Sequence, residues 1–273
     1  MALYSRTPVN PVQSAYLRLL AEDQSAAAKA VTLYREFYDG DQGSMLTQRL
    51  AEFLNVSSGT SFAVNLMGLV VDSLAERLVL TGFSSGNDDV DDLLDDWWQA
   101  NRMDGSQMHV HQAAGRDGQA FVIVEWDGDL GRPAFHENEA WDGDEGVKVH
   151  WAGRPDSRVL FASKRWREEF DESGEIVIRR RLNLYFPDRV EKYLALGGDA
   201  GIGEAGWVKY GSPWPTPWTH PRTGEPLGVP VIPFLNRQTG RSELADVIGV
   251  QTALNKTVLD ILAAADVEGF GIY

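Results

Sequence analysis

The chain has 273 residues, no cysteine, and 40 acidic against 25 basic side chains, for a formal charge of −15. That composition excludes disulfide scaffolds, thiolate metal sites and thiol nucleophiles, and it argues against a nucleic-acid binder that gains affinity by displacing counterions from phosphates. With 43% hydrophobic residues, including nine Trp, eleven Phe and eight Tyr, there is ample material for the core of one large domain or two smaller ones.

The opening stretch, MALYSRTPVN, lacks the basic-then-apolar pattern of a secretory signal. The most apolar run, Leu66 to Val71, is short and contains Gly68, far below the ~20 residues that span a bilayer, so a soluble chain without a membrane partner is expected. Asn10 before Pro11 combines an N-cap side chain with a proline at the first helical position. From there Tyr16, Leu20, Ala27, Val31, Tyr34 and Tyr38 recur at helical spacing up to Gly40, with a break around residues 22–25. A short helix is expected over Ser44–Leu54, a loop over Ser57–Thr60, and a helix capped by Ser61 with Leu66, Leu69, Val70, Leu74 and Leu78 on one face. Leu78–Phe83 reads as a short strand.

The densest charge feature follows, DDVDDLLDDWW. Its apolar members Val90, Leu93, Leu94, Trp97 and Trp98 form one helical stripe. Asp88, Asp89, Asp91, Asp92, Asp95 and Asp96 occupy the rest, with the first-turn aspartates favoured by the helix dipole. A further helix is expected over Ser106–Arg116. At Gly118 the texture changes. Gln119–Trp126, Val147–Trp151, Arg158–Trp166, Glu175–Phe186 and Arg189–Leu196 read as strands, separated by turn-rich Asp127–Pro133 and Trp141–Gly146. In the Glu175 segment Ile176, Ile178, Leu182, Leu184 and Phe186 alternate with polar residues. Short turns between such strands favour an antiparallel sheet with one covered face. Residues 213–233 hold seven of the twelve prolines and read as extended connector. Helical period then returns: Leu244, Val247, Ile248, Gln251, Leu254, Val258, Ile261, Leu262 and Ala265 form one stripe, capped by Ser242. This predicts a helix of about 26 residues, roughly 39 Å long. The fold class is therefore α+β: N-terminal helices, an antiparallel β region, a Pro-rich connector and a long C-terminal helix.

Motifs that carry chemistry are weak. Gly201-Ile-Gly203-Glu-Ala-Gly206 has dinucleotide-loop spacing, but WVKYGSPWPTPW follows it and leaves no place for the helix that would meet a pyrophosphate. Gly82-Phe83-Ser84-Ser85-Gly86 has the spacing of a nucleophile elbow and makes Ser84 a candidate serine-hydrolase nucleophile. The aspartates that follow would oppose an oxyanion, and neither His150, in a strand, nor His220, in the proline connector, lies in a loop suited to a base. Asp127-Gly-Asp129-Leu-Gly131 starts like a calcium loop, but Arg132 and Asn138 stand where its Gly and Glu belong. No catalytic, cofactor-binding or metal-binding residue is assigned, and no cofactor is expected.

The order of features nevertheless resembles the Gp6-like phage portal proteins, those of actinobacterial phages in particular. The stretches that carry the resemblance are YREFYDGDQ, NLMGLVVDSLAERL at 65–78, DDWWQANRMDG at 95–105, GQAFVIVEW at 118–126, VLFASKRWRE at 159–168, LNLYFPDRVEKY at 182–193 and ALNKTVLDILAAADVEGF at 253–270. They run in family order over nearly the whole chain. The resemblance implies a non-enzymatic structural subunit of the virion, made in the host bacterial cytoplasm. Copies would form a ring, usually of twelve, at one capsid vertex. Double-stranded DNA passes through that ring without sequence-specific binding, driven by a separate terminase, and capsid and head-completion proteins are further partners. It implies a helical wing part over 1–117, an antiparallel wing part with connector over 118–235, and an outgoing stem helix over 236–273. The family's clip, returning stem helix, tunnel loop and crown have no counterpart here, so a truncated or partial chain is expected. On the last helix Asp246, Lys256 and Asp260 lie roughly opposite the apolar stripe, beside Gly249 and Ala253, and are candidate channel-facing residues. Leu244, Val247, Ile248, Leu254, Val258 and Ile261 are candidates for packing between stem helices. Another head structural protein and a Ser84 hydrolase are the alternatives.

Overall fold

A computed structural model of the chain describes residues 18–19, 25–57, 60–153, 157–172, 174–195 and 207–270. The expected helix start at Asn10–Pro11, the Tyr16 and Leu20 positions and the Gly201–Gly206 string lie outside these residues. The first described helix, α1 (Ala26–Asp39), begins where Ser25 accepts a hydrogen bond from the Ala28 amide and ends at Gly40, whose φ of 88° forms a left-handed cap. The short strand β1 (Ser44–Met45) pairs with β2 (Ser61–Phe62) and brackets α2 (Gln48–Phe53). Two expectations are corrected here. The second helix is capped by Thr47 rather than starting at Ser44, and Ser61 lies in a strand rather than at a helix cap.

Helix α3 (Met67–Ala75) buries Met67, Val71 and Ala75. Leu69, Leu74 and Leu78, which share the expected apolar stripe, are exposed. Leu78–Phe83 is loop, not strand. After it come α4 (Asp88–Ala100), capped by Asn87, and α5 (Met103–Asp117).

The β region contains two antiparallel sheets. The smaller one has the order β11 (Val231–Leu235), β3 (Gln119–Asp127), β4 (Arg132–Glu139). The larger one runs β10 (Thr216–Pro217), β8 (Arg189–Ala195), β7 (Glu175–Tyr185), β6 (Val159–Glu172), β5 (Gly146–Trp151), with β9 (Trp207–Lys209) also on β8. Strands β4 and β11 are absent from the sequence reading. RPAFHENE is polar and has a proline at its second position, and VIPFL overlaps the end of the proline connector; both become strands because β3 offers them an edge on each side. In β11, Pro233 stands opposite Phe121.

Alternation on β3 sorts its residues into two cores. Phe121 and Ile123 join Ala140, Val147, Val149, Ala162, Tyr185, Val190 and Val231 between the sheets, together with Val31 of α1. Ala120 and Val122 face α5, against Met103, Val110, Ala113 and Ala114. The larger sheet carries a further cluster on its other face, Leu19, Phe161, Leu182, Leu184 and Tyr193. The expected single covered face is thus corrected: both faces are covered where the sheet is widest. The alternation in β7 holds, and Leu182 and Leu184 lie in that cluster with Phe186 packed against it. Ile176 and Ile178 lie where β7 has β6 alone as a neighbour, and they are exposed.

A buried ionic knot ties the helices to the sheets. The Asp117 side chain is fully enclosed and accepts hydrogen bonds from Arg35 Nε at 3.1 Å and Arg116 Nε at 2.7 Å. Arg35 also donates to Asp142 at 2.8 Å and to the Ala140 carbonyl at 3.0 Å. Beside it Tyr38 donates to Asp72 at 2.7 Å, and burial followed by that bond pushes Tyr38 up to about 12.

Candidate functional site: the long C-terminal helix and the faces beside it

Ser242 accepts from the Leu244 amide and donates to the Arg116 carbonyl, so the cap that starts the last helical segment is anchored to the end of α5. One 3₁₀ turn (Glu243–Asp246) precedes α6 (Ile248–Phe270). The cap at Ser242 is as expected, while the first turn is 3₁₀ rather than α.

The face by which α6 docks is polar at its centre. Asn255 Oδ1 accepts from the Val64 amide at 3.0 Å, Gln251 Oε1 accepts from the Leu66 amide at 3.2 Å, and Gln251 Nε2 donates to the Val64 carbonyl. The irregular segment between β2 and α3 has no strand or helix partner for these backbone groups, so the two side-chain amides satisfy them instead. One turn further, Leu259 and Leu262 pack on Leu46, Leu50 and Ala51 of the α2 region, and Asp266, 5% exposed, pairs with Arg49. The buried stripe therefore runs Gln251, Asn255, Leu259, Leu262, Asp266. It shares only Gln251 and Leu262 with the stripe read from hydrophobicity. Apolar spacing misses a helix face whose contacts are amides and a carboxylate: Asn255 and Asp266 carry no apolar signal, and Gln251 falls in the expected stripe by its position alone.

The residues singled out by sequence are placed as follows. Leu244 is fully buried with Phe37, Met67 and Val71, and Val247 and Ile248 pack on the same cluster. Leu254 and Val258 are half-buried, and Ile261 is 62% exposed. Asp246 is exposed and paired with Arg241, and Lys256 bonds Asp260 one turn on at 2.6 Å. Each carboxylate from Glu243 to Asp266 has a cation, Arg237, Arg241, Lys256 or Arg49. The outer face of α6 is thus small and electrically compensated: Gly249, Ala253, Thr257 and the Lys256–Asp260 pair, with Val250 and Ile261 exposed along one side.

The serine string is not organised for chemistry. Ser84 sits in the loop before α4, where the Ser85 amide donates to Asp91. The crevice beside it, about 130 Å³, is lined by Leu80, Phe83, Asp95, Trp98, Gln99 and Asp104 among others, with no histidine among the described residues of its wall. His150 instead bonds Ser163 at 3.1 Å inside the larger sheet and stacks on Phe161, and His220 Nδ1 accepts the Arg222 and Thr223 amides. Asp127 Oδ1 accepts the Asp129 and Leu130 amides, so the calcium-like string is the turn between β3 and β4.

No protein-family model matches the chain. It is 28% identical over 190 residues to the portal protein of Mycobacterium phage L5, and 27% identical over 190 residues to that of Mycobacterium phage D29. The chain is similar to these two phage portal proteins. In each case the aligned stretch covers 66% of this chain and 33% of the relative, so the chain matches about a third of the length of these portal proteins. The relation agrees with the resemblance read from the quoted motifs, and an α+β chain with antiparallel sheets agrees with the fold class expected from sequence.

Proposed function

We propose that this chain is a structural subunit of a phage portal, a ring at one capsid vertex through which double-stranded DNA is packaged and ejected, and that it is not an enzyme. The similarity to two mycobacteriophage portal proteins carries the reading. Residues 1–117 and 118–235 form the wing, and residues 236–273 contain the outgoing stem helix, α6. Its small, charge-compensated outer face faces the channel: with Asp246 and Asp260 each paired, phosphates meet neither an attractive basic surface nor an open acidic one. Ile261, with Val250 about three turns earlier on the same side, reaches the neighbouring copy; Leu254 and Val258 follow, and Leu244, Val247 and Ile248 hold the helix from within. Terminase and the capsid and head-completion proteins are the partners, and the virion is the location.

Native mass spectrometry of the purified chain tests this. Closed rings are expected, twelve copies being the number the portal resemblance implies. A chain that stays monomeric at high concentration, with ester turnover abolished by Ser84→Ala, would replace this reading with a hydrolase. The channel role has its own test: in a packaging system reconstituted with the terminase, Asp246→Lys with Asp260→Lys is expected to slow DNA entry. Unchanged packaging sinks the channel assignment and leaves the ring.

A further inference from the structure

Two surfaces carry more charge than the ion pairs among the described residues compensate. The first is α4. Asp88, Asp89, Asp91, Asp92, Asp95 and Asp96 form no ion pair among the described residues, and the apolar stripe beneath them is only half covered: no residue of α4 is buried, and Val90 and Leu93 are 40% and 43% exposed. The second is a cavity of about 240 Å³ between the sheets, on the face of the larger one that looks toward β3 and β4. Strand register puts Lys164 of β6, Asn183 of β7 and Lys192 of β8 directly beside one another, with Trp166 and Arg181 in the next row. Among the described residues neither lysine is in an ion pair, and the Lys164 ammonium lies 5.1 Å from the centre of the Trp166 ring. Arg181 and Asn183 are each 5% exposed, yet Arg181 Nε and Asn183 Oδ1 have no hydrogen-bond partner. Glu125 and Glu168 also line the cavity, but Glu168 is engaged by Arg181, so cations exceed carboxylates.

We propose that in an assembly of copies the aspartate face of α4 of one copy docks on the Lys164–Lys192–Arg181 trough of the next. This rests on the ring reading above. Complementary surfaces at different places on the same chain generate a head-to-tail contact, the kind that closes into a ring. Charge complementarity chooses the occupant. In a chain of charge −15 copies repel one another, and the trough is where an unpaired ammonium pair waits while α4 holds the densest unpaired carboxylates. Burial pushes Lys164 below its ordinary value, and an arriving carboxylate favours its charged form.

The test couples amines to carboxylates with a zero-length carbodiimide in a mixture of ¹⁵N-labelled and unlabelled full chain. The expected product is a peptide linking Lys192 or Lys164 of one label to an α4 aspartate of the other. In parallel, Lys192→Glu is expected to weaken self-association at least ten-fold, and Asp92→Lys with Asp95→Lys to restore it. Lys192→Gln, a milder change, controls for folding and should weaken it less. Rings that form without these cross-links and ignore Lys192→Glu overturn the docking and leave the ring standing. A chain that never associates overturns both. If inorganic phosphate binds the monomer, Lys192→Gln abolishes that binding, and no inter-copy cross-link forms, the trough is a small-anion site and the docking is wrong.

Discussion

Asp117 is an enclosed carboxylate on which two guanidinium groups, Arg35 and Arg116, converge. It takes both Arg35 and Arg116 on a side chain with no exposure, and Arg35 reaches from there to Asp142 and the Ala140 carbonyl. Removing one member of a buried charge set leaves the others uncompensated, which costs about 3–5 kcal/mol. Asp117→Ala is therefore expected to lower the urea midpoint sharply, and a midpoint equal to that of the parent would show that the knot is idle. His150 makes a pH-dependent contribution. Burial first, then Lys148, Arg165 and Arg18, lowers it from 6.5 to about 3. The folded chain therefore stays unprotonated where the unfolded chain binds a proton. Stability is full above pH 6.5 and falls as pH drops from 6.5 toward 3, by about 1.4 kcal/mol per unit. His150→Phe keeps the ring on Phe161 and should flatten this part of the profile; an unchanged slope between pH 6 and 4 would acquit His150. No sequence pattern announces either residue, since Asp117 reads as a helix-end carboxylate and His150 as one more strand position.

At the scale of elements, α6 shows how a helix can be docked by amides. Gln251→Leu with Asn255→Leu would strip partners from the Val64 amide and carbonyl and the Leu66 amide, at about 1–3 kcal/mol for each buried group left unsatisfied. Hydrogen exchange should then accelerate at Val64 and Leu66 and along α6, with β3 and β7 still protected. Global loss of protection, or none, would contradict the local role. The α5–β3 junction is tighter still. Gly118 has φ of +89°, and a Cβ there would lie 2.3 Å from the Gly240 carbonyl oxygen. Gly118→Ala should destabilise by about 1–3 kcal/mol from the backbone conformation alone, and more from the clash, read as a lower melting temperature. The change of texture at Gly118 was visible in the sequence. Its cause, the return of residues 236–242 onto the same spot through the Asn236 amide to the Gly118 carbonyl, was not.

Across the whole molecule the helices and sheets share cores. Ala120 and Val122 rest on α5, and β11 arrives from the far side of the proline connector to complete the small sheet. A fragment of residues 118–235 alone would expose Ala120, Val122 and Phe135, which α5 covers. It is expected to lack a cooperative unfolding transition and to gain one on co-expression with residues 1–117. Cooperative folding of the fragment by itself would show that α5 is dispensable to the sheets.

Residue type and spacing alone determined the α+β class, the Gly40 and Ser242 boundaries, most strands of the larger sheet, the long final helix and the portal resemblance, because each depends on neighbours a few positions apart. Tertiary structure decided which faces are buried. Strands β4 and β11 exist because β3 has two open edges, α3 turns Met67 and Val71 inward while Leu69 stays outside, and α6 presents Gln251 and Asn255 to unpaired backbone. Those choices depend on partners far away in the chain, and hydrophobic period does not encode where an unpaired amide will wait.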